Sequence, residues 1–332
     1  MKMSFVVPDV SFVIAAYNAE GTLRCAIDSA LAQDGVAVEV VVVDDCSTDG
    51  TASVAAAYDD DRVRLIRQLK NGGPGRARNA GIIASTGRWI AVLDSDDFVR
   101  PDRIRNMAER ARLAQAHVVV DNLNVVQMDG ARQQRMFSEI DLADRPILTL
   151  SDYIASNVVF QSTFNFGYMK PIFERKYLIE HDLWFDETLR IGEDYILLVS
   201  ALASGAKCVI EPSAGYIYRI REDSISRILK RQHIDSMLAA DEIFLARFPL
   251  AGAAAKAQKR RTRSLVDARS FITLVDEIKS QSFGRAFLAA ISNPRAVRHL
   301  RMPVAVRMRR IVDAVRGQTN HIEQIPSERT KS

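Results

Sequence analysis

With 332 residues, the chain is long enough for one large domain and an appendage. No stretch resembles a signal peptide or a bilayer-spanning segment, which excludes the secreted and membrane-spanning classes as expectations. The formal net charge is only +4, and the three cysteines and five histidines are scattered without metal-site spacing. We therefore expect a cytoplasmic protein with reduced thiols and no zinc site.

Four apolar runs in the first part of the chain predict buried strands, and helical patterns separate them. The runs are residues 10–16, 38–43, 63–66 and 89–93. Strands that alternate with helices imply a parallel sheet with right-handed crossovers. Ligands of such sheets bind beyond the carboxyl ends of the strands. The polar residues that follow each run are therefore the first candidates for a functional site.

The most informative of these polar turns is Asp94-Ser95-Asp96-Asp97, which places three carboxylates directly behind an apolar run. Crowded carboxylates repel one another unless a cation neutralises them, and oxygen ligands suit Mg²⁺ or Mn²⁺. The natural ligand for such a metal is a diphosphate. The alternative is a solvated acidic turn that caps the next helix before Pro101.

A second acidic pair, Glu193-Asp194, precedes an apolar helical pattern and follows Gly192. This order places both carboxylates in the first turn of a helix, where the helix dipole favours their ionised form. An ionised carboxylate can act as a general base. The alternative is that both residues only cap the helix.

Five segments, in the same order along the chain, resemble the family 2 glycosyltransferases with a GT-A fold, which are inverting enzymes that use nucleotide-diphosphate sugars. The resemblance covers about residues 10–228, and within the family it is closest to bacterial exopolysaccharide glycosyltransferases of the succinoglycan type. It implies an α/β fold with a Rossmann-like mixed sheet flanked by helices and followed by a helical appendage. The segments are residues 13–18, 43–51, 75–81, 93–97 with Pro101, and 192–195.

The resemblance assigns the nucleobase to the ends of the first two strands. Tyr17 would stack on the base, Asp45 would accept the uracil N–H, and Ala15 stands where relatives often carry a polar residue. Alternatively, Tyr17 covers the edge of the sheet, and Asp45 caps the helix that begins near Thr51.

Sugar and diphosphate are assigned to the acidic turn and to a Gly-rich turn before it. Asp94 would bind the ribose or the sugar, with Ser95 beside it, while Asp96 would hold the metal and Asp97 would assist it. Arg76 and Arg78 lie on one side of the Gly-rich turn at residues 71–75, where guanidinium groups can reach phosphate oxygens. The alternative for this pair is a solvated basic helix face.

The resemblance gives the role of the base to Asp194, which would take the proton from the attacking hydroxyl. It also leaves one departure: Arg221 stands at or near the position where many relatives have a metal-touching His. A guanidinium in that loop could neutralise the leaving group in place of the metal.

Past about residue 230 the sequence becomes strongly basic. A basic amphipathic helix on an anionic membrane is one interpretation of this segment, and a solvated helical bundle is the other. Nucleic acid is not expected as a partner, because no nucleic-acid motif accompanies the charge. We predict a catalytic domain at residues 1–230, a basic helical region at 231–317 and a disordered tail at 318–332. The basic residues of the segment include Lys256, Lys259, Arg260, Arg261, Arg263, Arg285, Arg295, Arg298, Arg301, Arg307, Arg309, Arg310 and Arg316.

Together with the acidic turns, the resemblance implies an inverting, metal-dependent glycosyltransferase with a UDP-sugar donor, most simply UDP-glucose. The expected acceptor is a glycan or a lipid-linked oligosaccharide at the cytoplasmic face of the membrane. A dehydrogenase is not supported, because the first strand is not followed by Gly-x-Gly-x-x-Gly. A protein of the same fold that binds sugar nucleotide or glycan without transferring it is the remaining alternative.

Overall fold

The computed structural model describes residues 7–127, 133–160, 165–220 and 229–300. Nine strands in these residues form one mixed sheet. They are β1 (Val10–Ala16), β2 (Val38–Asp44), β3 (Val63–Arg67), β4 (Trp89–Val92), β5 (Phe98–Val99), β6 (Val118–Gln127), β7 (Gln133–Arg135), β8 (Lys170–Glu174) and β9 (Cys208–Ile220). The order across the sheet is β3-β2-β1-β4-β8-β6-β9-β5, with β7 paired to β6.

The first half of the sheet is parallel, as the alternation of apolar runs and helical patterns predicts. β1 lies between β2 and β4, and β2 pairs with β3, all in parallel register. β1 and β2 are buried over almost their whole length, because helices cover both faces of a sheet built by crossovers.

The second half of the sheet explains why the sheet is mixed. β8 runs antiparallel between β4 and β6, and β5 runs antiparallel to β9. β6 and β9 are parallel over ten register pairs, with irregularities on either side of Asn122. The predicted mixed α/β fold is therefore confirmed.

Twelve helices connect and flank these strands in the residues that the structure describes. Those of the first two hundred residues are α1 (Leu23–Leu31), α2 (Thr51–Ala56), α3 (Pro74–Ala84), α4 (Arg103–Ala114), α5 (Glu139–Ala143), α6 (Leu150–Ser156), α7 (Arg175–Glu180) and α8 (Glu193–Ala203). α1 shows why they pack on the sheet: its buried residues Leu23, Ala26, Ile27 and Ala30 recur at helical spacing and share one face.

The described residues after β9, 229–300, are mainly helical, which confirms the predicted appendage. Its helices are α9 (Arg231–Arg247), α10 (Gly252–Lys279), α11 (Phe283–Ser292) and α12 (Pro294–Val297). The chain divides into two compact units between Leu265 and Val266, within α10. The boundaries predicted at residues 230 and 317 stay predictions, and residues 301–332, with the predicted tail, lie outside the described part. None of the described helices is both long and apolar enough to cross a membrane.

A fully buried ion pair joins α4 to the second half of the sheet. The Arg103 guanidinium donates to both carboxylate oxygens of Asp121 on β6, at 2.8 and 2.9 Å, and to the carbonyl of Lys170 on β8 at 2.9 Å. Gly215 makes room for the pair, because a Cβ at that position would lie 2.5 Å from Arg103 Cγ. The pair therefore joins α4 to two strands of the sheet with one set of charge-assisted hydrogen bonds.

We expect Asp121→Asn to lower the free energy of unfolding by about 3–5 kcal/mol, because it leaves the Arg103 charge buried without its counter-charge. Glu109→Gln is the matched control, since it breaks the exposed Arg112–Glu109 pair of α4 and should leave the free energy of unfolding nearly unchanged. Chemical denaturation of the two variants measures both values. Equal costs would contradict an anchoring role for the buried pair.

Candidate functional site

The predicted site residues lie at one edge of the sheet. Because β1, β2 and β4 are parallel neighbours, their carboxyl ends point to the same edge. Tyr17 follows β1, Asp45 follows β2, and Asp94 follows β4 after one further residue. The three turns therefore lie at the edge where ligands of parallel sheets bind, and the binding roles of their residues stay predictions.

Asp45 holds the Gly-rich turn that begins α3. Its two carboxylate oxygens accept the backbone N–H groups of Gly72 and Gly73, each at 2.8 Å, and the residue is only 3% exposed. Asp45 does not cap α2, because the Thr51 N–H goes to Asp49 at 3.0 Å. The predicted uracil contact of Asp45 stays a prediction, and it would use lone pairs that the turn leaves.

The other predicted nucleobase residues differ in exposure. Tyr17 is 51% exposed, so its ring is accessible for stacking, whereas Ala15 is half-buried at the end of β1. No described contact distinguishes a base-stacking Tyr17 from one that covers the sheet edge. Both assignments stay predictions.

Arg78 joins the two halves of the predicted site. Its Nη2 donates to Asp94 Oδ1 at 2.8 Å, and its Nη1 donates to Glu193 Oε1 at 2.6 Å and to Asp194 Oδ1 at 3.1 Å. Burial disfavours the charged guanidinium, but the three carboxylates outweigh burial and raise the pKa of Arg78 well above its usual value. One cation thus brings the acidic turn after β4 against the first turn of α8.

The structure separates Arg76 from Arg78, which the sequence places on one side of the Gly-rich turn. Arg76 is exposed and Arg78 is buried, because residues two apart on a helix are rotated by about 200° from each other. Both terminal nitrogens of Arg78 already bind carboxylates. A phosphate would therefore have to share these nitrogens with the carboxylates. The phosphate-binding role of both residues stays a prediction.

Lys170 is a site residue that the sequence motifs do not reveal. Its Nζ donates to Asp94 Oδ2 at 2.7 Å, opposite the oxygen that Arg78 binds. Burial tends to raise the pKa of Asp94, but Lys170 and Arg78 hold it well below its usual range. Lys170 opens β8, and only the antiparallel pairing of β8 beside β4 brings it to this edge. Spacing along the chain carries no signal for such a contact.

Asp97, the last residue of the acidic turn, is buried. Its Oδ2 accepts the Tyr216 hydroxyl and its Oδ1 accepts the Arg219 N–H, both at 2.8 Å, and the residue is 1% exposed. Burial, together with the charge of Asp94, raises the pKa of Asp97 to about 7. Tyr216 also accepts the Asp94 N–H at 3.2 Å. Asp97 therefore fixes the shape of the turn that carries Asp94.

The contacts of the predicted metal ligands limit how they could bind a cation. Both oxygens of Asp97 are hydrogen-bonded, so direct ligation would require replacing one of these bonds, while Asp96 and Ser95 are half-buried on the same turn. Within the described residues, no group of three or more His, Cys, Asp or Glu side chains is arranged to hold a metal. A cation at this turn would need further ligands from the donor. Arg221 lies outside the described residues.

The two carboxylates of α8 occupy different environments, although both lie in its first turn as predicted. The turn begins after Gly192, whose φ of +93° is a left-handed conformation that glycine adopts readily. Glu193 is buried, and burial raises its pKa. The Asp194 side chain is 39% exposed. Of the pair, Asp194 is the one that an acceptor hydroxyl can approach.

Arg261 corrects the interpretation of the basic segment. The sequence groups Arg261 with the basic residues that favour a lipid surface. In the structure Arg261 is buried and pairs with Asp241 at 3.0 Å. Its guanidinium carbon lies 3.6 Å from the centroid of the Tyr195 ring, and Nη1 donates to the Asn157 carbonyl at 3.0 Å. Tyr195 follows Asp194 directly, so the first part of α10 braces the helix that carries the predicted base.

Comparison with known proteins agrees with this arrangement. Residues 11–176 match the family described as Glycosyl transferase family 2. The succinoglycan biosynthesis protein ExoO of Rhizobium meliloti (strain 1021) is 62% identical over 305 residues, which cover 92% of this chain and 87% of that protein. The succinoglycan biosynthesis protein ExoU of the same strain is 36% identical over 295 residues, which cover 87% of this chain and 84% of that protein.

A solved structure shows the same fold. Residues 1–349 of S. aureus TarS, in complex with UDP-GlcNAc, superpose with a TM-score of 0.61 at 20% identity over 86% of this chain and 91% of that chain. The resemblance identified from the five sequence segments is confirmed. The chain belongs to glycosyl transferase family 2 and is by its family a glycosyltransferase.

Proposed function

We propose that the protein is an inverting hexosyltransferase of exopolysaccharide synthesis. Its donor is a UDP-sugar, UDP-glucose or another UDP-hexose, and its acceptor is a glycan or a lipid-linked oligosaccharide at the cytoplasmic face of the membrane. ExoO and ExoU, by name succinoglycan biosynthesis proteins, support the pathway class. TarS structures with UDP and with UDP-GlcNAc support a uridine-diphosphate donor.

The observation that carries the proposal is the Arg78 cluster. Asp94 belongs to the turn predicted to bind the donor, and Asp194 belongs to the turn predicted to activate the acceptor. Arg78 contacts both carboxylates through its two terminal nitrogens, at 2.8 and 3.1 Å. Donor-side and acceptor-side chemistry therefore share one cluster, as a direct displacement between two substrates requires.

Each group in the cluster has a role in that displacement. The acceptor oxygen attacks the anomeric carbon, its proton passes to Asp194, and the bond between the sugar and the diphosphate breaks, which inverts the configuration. Asp194 is suited to the role of base because its side chain is partly exposed in the first turn of α8, where an acceptor hydroxyl can approach it. Buried Glu193 holds Arg78 in place.

A divalent cation, Mg²⁺ or Mn²⁺, fits the acidic turn only in part. Asp94 is paired with two cations and Asp97 is hydrogen-bonded through both oxygens. We assign direct ligation to Asp96, the residue to which the family resemblance gives the metal, with donor phosphate oxygens as further ligands, and an indirect contact to Asp97. A cation bound there would neutralise the charge of the departing diphosphate.

A protein that binds the donor without transferring sugar is the alternative, and one substitution separates the two. We expect Asp194→Asn to reduce transfer by roughly 10²- to 10⁴-fold, because the amide cannot accept a proton. UDP-sugar affinity should stay near that of the wild type. Calorimetry measures binding, and release of UDP measures transfer on the same preparation.

The matched control is Asp141→Asn, which alters an exposed carboxylate in the first turn of α5 and should leave both quantities unchanged. Transfer that survives Asp194→Asn within a few fold would move the role of base to Glu193. A joint loss of binding and transfer would place Asp194 in the donor pocket instead.

The metal assignment predicts that Mn²⁺ strengthens UDP binding to the wild type and not to Asp96→Ala, because the cation links that carboxylate to the phosphates. Calorimetry with and without a chelator measures this difference, and transfer should be lost in chelator. Asp102→Ala, a nearby acidic residue paired with Arg100, should retain the Mn²⁺ effect. Full transfer in chelator would contradict a metal-dependent reaction.

A further inference from the structure

The large apolar side chains of α11 are exposed to solvent, whereas one of its alanines is buried. An ordinary surface helix has the reverse arrangement, with its large apolar side chains buried. Phe283, Phe287, Leu288 and Ile291 are 68%, 66%, 64% and 59% exposed. At about 100° per residue, their spacing places them on one face, within an arc of about 140°. Large apolar side chains on a surface helix normally face the interior, so this face is built to contact something other than water.

The small residues of α11 face the interior of its own unit. Ala286 is 6% exposed, and Asn293 just after the helix donates to Asp267 Oδ1 at 2.8 Å on α10. Arg285 pairs with Glu277 Oε2, also on α10, at 3.0 Å. The helix is therefore fixed to α10 by its small and polar side, and this attachment holds the large apolar side outward.

The stretch of chain that carries α11 has basic but no acidic residues. No acidic residue occurs between Glu277 and Asp313, whereas eight lysines and arginines do. Four of the eight lie in the described residues: Arg285, which Glu277 neutralises, and Lys279, Arg295 and Arg298. An apolar face with a cationic surround matches the boundary between anionic headgroups and acyl chains.

We propose that α11 is an interfacial membrane anchor, whose exposed face enters the headgroup region of an anionic bilayer while the neighbouring cations bind the headgroups. Within the basic segment past residue 230, for which the sequence offers a membrane-bound helix or a solvated bundle, α11 is a described part with an exposed apolar face. It needs neither donor nor metal, so it stands or fails independently of the proposed transfer reaction. Charge attracts the protein, and apolar burial supplies the part of the affinity that salt cannot screen.

The test compares full-length variants in vesicle flotation. Vesicles of phosphatidylglycerol with phosphatidylcholine should bind the wild type, and pure phosphatidylcholine should bind it much less. Phe287→Ser/Leu288→Ser keeps every charge and should weaken binding to the anionic vesicles by about tenfold or more. The matched control, Leu113→Ser/Ile243→Ser, removes two side chains that are 69% and 68% exposed on α4 and α9 and should bind like the wild type.

Two further measurements keep the result specific. In high salt, the residual binding of the wild type should exceed that of the α11 variant. An unchanged circular-dichroism spectrum and unfolding midpoint would show that the variant is folded, which makes its loss of vesicle binding attributable to α11.

Other occupants of the face give different outcomes, and each would overturn the proposal. Vesicle binding by charge alone leaves the α11 variant equal to the wild type. If a second copy of the chain covers the face, light scattering will show a dimer without lipid, and the α11 substitutions will dissociate this dimer. The third alternative is that residues 301–332 cover the face. Brominated lipids would then not quench the fluorescence of the tryptophan in Phe287→Trp, whereas they must quench it if α11 inserts into the bilayer.

Discussion

The site depends on how buried carboxylates are neutralised. Isolated carboxylates at the edge of a sheet would repel one another or take up protons, since burial penalises their charged form. Arg78 and Lys170 supply two positive charges among Asp94, Glu193 and Asp194, and each contact is a charge-assisted hydrogen bond of 2.6–3.1 Å. Because α3, β8 and α8 each contribute a member, the cluster forms only when all three elements are in place. Assembly of the fold and assembly of the site are therefore one event.

The parts of the site that sequence reasoning finds are those with local signals. Asp94 and Asp194 were identified because a carboxylate directly behind an apolar run, or directly before a helical pattern, has a predictable location. The four parallel strands were identified for the same reason, since each run alternates with a helix. Lys170 and Tyr216 carry no such signal. They meet the acidic turn through β8 and β9, whose partners in the sheet are far away in the chain, and pairing of that kind cannot be deduced from spacing.

Composition misleads most where one residue type serves opposite purposes. Arg261 and Arg285 belong to the same basic segment, yet Arg261 is buried against Asp241 while the Arg285 side chain is 71% exposed. A count of positive charge treats them alike. Burial distinguishes the two arginines. It depends on whether the side chain lies on the packed or the exposed face of its helix. The long basic segment thus contains both a structural brace for α8 and the cationic surround of α11, and only three-dimensional packing separates these uses.

The contact between Asp45 and the Gly72–Gly73 turn has a consequence for engineering. Attempts to change the nucleotide preference would naturally begin at the residue predicted to read the base. Replacing Asp45 would also release two N–H groups at the start of α3, and α3 carries Arg78. A redesign at this position would therefore confound altered recognition with a loosened Arg78 cluster. The Ala15 methyl group holds neither N–H group, so a small polar replacement there would leave the Asp45 contacts in place, provided that it fits beside Val41, Val43 and Ala77, on which Ala15 packs.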